Sequence, residues 1–265
     1  MTRDVSWTLL LAALLIASAV AGAIIRRRLH VLHRSSETIN FLRDVTTLLV
    51  TFVALMLSLL LTSVLSAYDE AYRDRGQYAS SLAQLDVCMR NYGPDLAEAR
   101  TKLHLYTASV IASTWPREPP PEGITYPDLS GLPIVGEAPR LAEILNEVGL
   151  AVAAVAPADT LHRALALRCE ENYRSAREAR RAVIEDAHGS LSAPFAAIMT
   201  FWLMLVFLNF GLQAPGNPLA ILVTAIGIVS VSSVVFVILD LDLPYDGLFG
   251  IPSTAMRQAF ADMMR

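Results

Sequence analysis

Residues 187–239 read AHGSLSAPFAAIMTFWLMLVFLNFGLQAPGNPLAILVTAIGIVSVSSVVFVIL, 53 positions without one Asp, Glu, Lys or Arg. The run is interrupted once, at Gln213-Ala214-Pro215-Gly216-Asn217-Pro218. A bilayer core needs roughly 20 consecutive apolar residues per helix, and the halves 193–212 and 219–239 have that length. Proline lacks a backbone donor and glycine tolerates reversed dihedrals, so the interruption ends one helix and starts the next. The stretch reads as a helical hairpin that crosses a membrane twice.

The same criterion finds two spans nearer the N-terminus. Residues 7–25 are uncharged and bounded by Arg26-Arg27-Arg28; residues 45–67 are uncharged between Asp44 and Asp69-Glu70. Four such spans account for 54% hydrophobic residues and a mean hydropathy of +0.46 without a large soluble core. Continuous apolar runs call for helices, because barrel strands alternate over segments about half as long. The expected class is an all-α integral membrane protein with four transmembrane helices. Its expected parts are 1–67 (two spans and an Arg-rich loop), 68–192 (a helical extramembrane domain), 193–239 (the hairpin) and 240–265 (an acidic turn and a terminal amphipathic helix). The first span can also be read as a signal peptide with small-residue sites at Ala17-Ser18-Ala19 and Ala21-Gly22-Ala23. Positive charge should precede such a segment, yet Arg3 is offset by Asp4 and three arginines follow. A retained helix is expected.

Four crossings put the N-terminus, 68–192 and the C-terminus on one side. Loop 26–44 carries arginines 26, 27, 28, 34 and 43 against Glu37 and Asp44, so the positive-inside rule makes it cytoplasmic and 68–192 outward-facing. Segment 68–192 holds 13 basic and 18 acidic residues, a net charge of −5, with Arg73, Arg75, Arg177, Arg180 and Arg181 near its membrane ends. Both cysteines, Cys88 and Cys169, lie in this segment. Counted along helices leaving the membrane at 67 and entering it at 193, their heights differ by about 5 Å. Two readings are open: a disulfide, which would favour the outward side, or two buried thiols acting as small hydrophobes.

Within 68–192, Tyr68, Tyr72, Ala79, Leu82, Leu85, Met89 and Tyr92 recur at helical spacing, and Gly93-Pro94 breaks the pattern. A further helix is expected over 94–115, an extended loop over the six prolines and three glycines of 116–138, and a short helix over 140–148. From Ala158 a long helix is expected to run straight into the third span, with a stripe of Leu161, Leu165, Cys169, Tyr173, Ala176 and Val183. The two stripes read as a stalk that packs on itself or on neighbouring subunits, with a vestibule formed by oligomerisation as the alternative.

No catalytic constellation is present: no Walker loop, CxxC pair, HExxH or Gly-rich dinucleotide turn, so neither an enzyme nor a cofactor is expected. His30 and His33 have ligand-like spacing, but nearby arginines repel a cation, and they read as facing lipid headgroups. On a helix, Thr47, Thr51, Ser58 and Thr62 fall within about 60°. Their hydroxyls either pack against another helix or line a water-filled path and replace part of an ion's hydration shell. No acidic or basic residue lies inside a span, which argues against proton-coupled transport and leaves a passive pore open. Asp240, Asp242 and Asp246 at the membrane edge read either as a hard-cation cluster or as polar anchors of a turn. Ser253 is placed to cap a last helix whose Met256, Phe260 and Met263 form an apolar face for the interface or a neighbouring subunit.

The Arg-rich residues after span one, the His-containing linker, the long apolar helix ending in Ala67-Tyr68-Asp69-Glu70-Ala71, the Trp115-Pro116 element and the close of the hairpin, Phe236-Val237-Ile238-Leu239-Asp240 with Pro244, Gly247 and Pro252-Ser253, together resemble the bacterial bestrophin-like family of four-pass membrane proteins. The resemblance runs over nearly the whole chain and is most specific at 239–247. It implies kinship with bestrophin anion channels, pentamers lined by their second membrane helix, here 45–67 with Thr47, Thr51, Ser58 and Thr62. It also implies a bacterial inner membrane, inorganic ions and a homo-oligomer as partners, and a cytosolic helical domain, opposite to the charge rule. No nucleic acid is expected. The reading of a passive ion pore, for anions by the resemblance, stands beside a non-conducting scaffold or sensor whose segment 68–192 binds a partner or ligand.

Overall fold

The computed structural model describes residues 2–28, 36–124, 126, 139–187, 189, 191, 193–215, 217–245 and 247–265. Among them are eight α-helices and no strand: α1 Thr2–Arg28, α2 Ser36–Tyr92, α3 Ala97–Thr114, α4 Pro139–Ala154, α5 Thr160–Asp186, α6 Ala193–Gln213, α7 Pro218–Leu241 and α8 Thr254–Met263. Four of them hold segments long and apolar enough to cross a membrane: Val5–Arg28, Asn40–Tyr92, Pro194–Gln213 and Pro218–Leu241. Their outward faces carry bare aliphatic side chains, such as Leu9 at 65%, Leu59 at 73% and Ile221 at 71% exposure. Apolar surface on that scale is stable against hydrocarbon, not water. The chain is a multi-pass, all-α membrane protein.

The chain divides into two compact units. The first comprises residues 1–67, 190–242 and 247–249. Leu11, Leu15, Val53, Leu203, Phe207 and Ile228 form its centre. The approach of α1 to α6 is set by two glycines. A Cβ on Gly22 would lie 2.2 Å from the Leu208 carbonyl oxygen, and one on Gly211 would lie 2.0 Å from that of Ala19. Hydrocarbon offers no hydrophobic drive between helices, so close backbone contact of this kind is what holds them. Ser18 Oγ adds a hydrogen bond to the Met204 carbonyl at 2.6 Å. The hairpin between α6 and α7 forms where Pro215 and Pro218 fall: the Asn217 side chain caps α7 by accepting from Ala220 N–H at 2.9 Å, with Pro218 in the first turn.

The second unit comprises residues 68–189, 243–246 and 250–265. α2 ends at Tyr92 because Gly93 takes φ +112°, and a 3₁₀ turn, Pro94–Leu96, leads into α3. The core is built from the stripe Leu82, Leu85, Met89 and Tyr92 of α2, Leu103, Tyr106 and Ile111 of α3, and Leu141, Leu145 and Val148 of α4, with Cys169, Ala176 and Val183 of α5 and Met256, Phe260 and Met263 of α8. This is a five-helix assembly rather than the two-helix stalk expected, because α3, α4 and α8 cover the same apolar stripes. Leu161, placed in the α5 stripe by spacing, is instead 64% exposed.

Three further expectations change. α5 does not run into α6: it ends at Asp186, Gly189 sits at φ +72°, and α6 begins at Ala193 with Pro194 in its first turn, where a missing N–H is harmless. α8 does not offer its apolar face to a membrane interface or to another subunit: Met256 and Met263 are fully buried in the second unit. Ser253 makes no cap; its Oγ donates to Glu118 Oε2, which also accepts from Arg257 Nε at 2.8 Å. Residues 116–124 form turns without a helix, while most of the remaining Pro-rich loop, like His30, His33 and Arg34, lies outside the described residues.

Candidate functional site: the outward face of the second helix

Within the first unit α2 has two faces. Thr46, Val53 and Val64 are buried, at 5%, 7% and 1% exposure. About 140° around the helix from them lie Thr47, Thr51, Ser58 and Thr62, all exposed. Thr47 Oγ1 donates to the Arg43 carbonyl, Thr51 Oγ1 to that of Thr47 and Thr62 Oγ1 to that of Ser58, each at 2.9 Å. A threonine so bonded has given up its one donor but keeps lone pairs that face outward. The hydrogen bonds of the three threonines stay within α2 itself. Leu48, Phe52, Leu55 and Leu59, also exposed, flank them on one side. The structure therefore brings the predicted hydroxyls together as one outward stripe beside a band of large apolar side chains.

On α2 the hydroxyl residue buried in the first unit is Thr46, which spacing alone did not single out. Thr46 Oγ1 donates to the Leu42 carbonyl at 2.6 Å and accepts from Gln213 Nε2 at 2.5 Å; Gln213 also donates to the Leu42 carbonyl at 3.3 Å. Gln213, the polar residue directly before the Ala214-Pro215 break, was the available signal.

The carboxylates after α7 act as anchors of backbone. Asp240 is 2% exposed and accepts from Leu248 N–H at 3.0 and 2.9 Å and from Phe249 N–H at 2.9 Å. Asp242 Oδ1 accepts from Leu191 N–H at 3.0 Å. With their oxygens turned to amides, these two groups serve turn formation; Asp246 lies outside the described residues. Among the described residues no cluster of three or more His, Cys, Asp or Glu is arranged to hold a metal.

In the second unit Cys88 of α2 and Cys169 of α5 are joined in a disulfide, with Cα atoms 5.4 Å apart, and both are buried. Nearby, Asp86 of α2 is fully buried and its Oδ1 takes both Arg100 Nε at 2.7 Å and His104 Nε2 at 2.6 Å. Arg100 Nη2 continues to the Met263 carbonyl at 2.7 Å, tying α3 to the end of α8.

A family model described as the bestrophin-like domain matches residues 12–256. The chain belongs to the bestrophin-like family. The match takes in the α2 stripe, the turn after α7 and the Pro252-Ser253 segment, and it relates the chain to bestrophin channels. No curated protein and no solved structure matches it. Within this bestrophin-like chain, the outward stripe of α2 is the feature on which a function can be built.

Proposed function

We propose that the protein is a homo-oligomeric, passive ion pore of the bacterial inner membrane, lined by Thr47, Thr51, Ser58 and Thr62 of α2. One observation carries this reading: these four hydroxyl residues lie along one stripe of α2 and are left exposed by their own chain. Facing an aqueous path, their oxygens would replace part of an ion's hydration shell. Leu48, Phe52, Leu55 and Leu59 would then seat against neighbouring copies. The absence of charged residues from 45–67 suits a passive rather than proton-coupled path, and membership of the bestrophin-like family supports anions as the permeant class and five as the subunit number. No catalytic step and no cofactor enters the reading. The Arg-rich loop 26–44 and the bonded pair Cys88–Cys169 both support an outward-facing helical domain.

Purified protein in planar bilayers tests the proposal. Conductance is expected, with the single-channel current reduced at least several-fold by Ser58→Leu or Thr62→Leu. A monodisperse oligomer that passes no current under any ionic gradient would remove the pore from consideration.

A further inference from the structure

A cavity of about 330 Å³, including its mouth, lies wholly within the helical second unit. Arg75 and Tyr78 of α2, Thr114 of α3, Trp115, Arg180 of α5 and Tyr245 supply its polar lining, between apolar walls that include Val110 and Val183. Arg75 is 2% exposed, yet its Nε and Nη1 meet no acceptor. The rings of Tyr72 and Trp115 lie 5.5 and 5.6 Å from its guanidinium carbon and cover the faces of the cation. Rings do not satisfy the N–H groups, which point outward in the guanidinium plane. The phenols of Tyr245, Tyr72 and Tyr68 lie near Arg75, and among the described residues no carboxylate forms an ion pair with it. Asp186 and Asp74 act on Tyr245 instead.

Tyr245 contributes a second donor. Its hydroxyl is buried and without a partner. Burial first, then the carboxylates of Asp186 and Asp74, push its titration up against the pull of Arg75, so the phenol stays neutral and able to donate. A buried cation with idle donors beside a buried idle hydroxyl is half of an ion pair. Water would satisfy the donors but leave the charge unopposed. Once the walls are excluded, the remaining room is that of a water molecule or a halide, not of an organic anion. Apolar walls further favour a polarisable, single-atom anion over a strongly hydrated one.

We propose that this cavity binds one halide ion, held by Arg75 Nε–H and Nη1–H and by the Tyr245 hydroxyl. The site lies in the helical domain and does not depend on the pore reading. Iodide quenching of Trp115 tests it, in full-length protein carrying Trp7→Phe and Trp202→Phe so that one tryptophan reports, at constant ionic strength against gluconate. Quenching that saturates is expected. Arg75→Met, which keeps the side-chain length and removes the buried charge, should abolish the saturable part. Tyr245→Phe, which deletes one oxygen and keeps the fold, should weaken it about tenfold. Quenching that does not saturate in the parent protein, or that either substitution leaves unchanged, overturns the site.

Discussion

Gly247 shows how much of the turn after α7 rests on a single side chain being absent. Its φ of +101° is a region that L side chains rarely adopt, and a Cβ there would stand 2.5 Å from Asp240 Oδ1. Gly247→Ala must therefore push the Asp240 carboxylate off the Leu248 and Phe249 amides. A loss of about 1–3 kcal/mol is expected, read as a lower thermal midpoint in detergent. Asp186 gives a prediction in pH. Desolvation, then the charges of Asp74, Glu70 and Glu185, raise its pKa to about 6. The folded state thus holds its proton more tightly than the unfolded chain does, so ionisation costs stability, progressively as pH rises from ~4 to the folded value, and fully above it. Asp186→Asn should raise the thermal midpoint at pH 7.5, and the gain over the parent should shrink to nothing below pH ~4. Residues such as these were only partly legible beforehand. Pro244 and Gly247 stood out only as part of the family resemblance, and Asp240 was open between cation ligand and turn anchor until its oxygens were seen on amides. Arg75 sits in a segment of net negative charge that reads as solvated, and nothing local announces that it is buried.

Elements were legible where their signal is local. Hydropathy marked all four spanning segments, and Gly93-Pro94 marked the end of α2, because run length and punctuation need no tertiary partner. What packs against an element is a property of distant residues. The junction of α5 and α6 was missed because the absence of charge continues across it from Ala187. α8 was assigned to the membrane interface or a neighbouring subunit because its partners on α3, His104 against Phe260 and Arg100 at the Met263 carbonyl, lie more than 150 residues earlier. Two predictions belong to this scale. Gly211→Val would drive a side chain into the Ala19 carbonyl of α1; separation of α1 from α6 should cost about 1–3 kcal/mol and lower the yield of monodisperse protein. The Cys88–Cys169 bond closes a segment spanning 81 residues between α2 and α5. Its reduction, or paired replacement by serine, should cost the helical domain about 4 kcal/mol on the chain-entropy account, measured as a fall in its thermal midpoint.

At the scale of the whole molecule, the chain leaves a strip of α2 bare in which hydroxyls and large aliphatic side chains lie side by side. Lipid would suit the second group, and water the first. A ring of copies satisfies both at once, with hydroxyls towards a central path and leucines against neighbours, and this is the arrangement on which the functional proposal stands. Because the two native cysteines are bonded to each other, single cysteines introduced into α2 can be probed directly with a charged, water-soluble thiol reagent during bilayer recording. Thr51→Cys, Ser58→Cys and Thr62→Cys should each react and change the current, whereas Val53→Cys, on the buried face, should not. Current that is untouched by reagent at all three stripe positions, or that responds equally at Val53, would contradict the account.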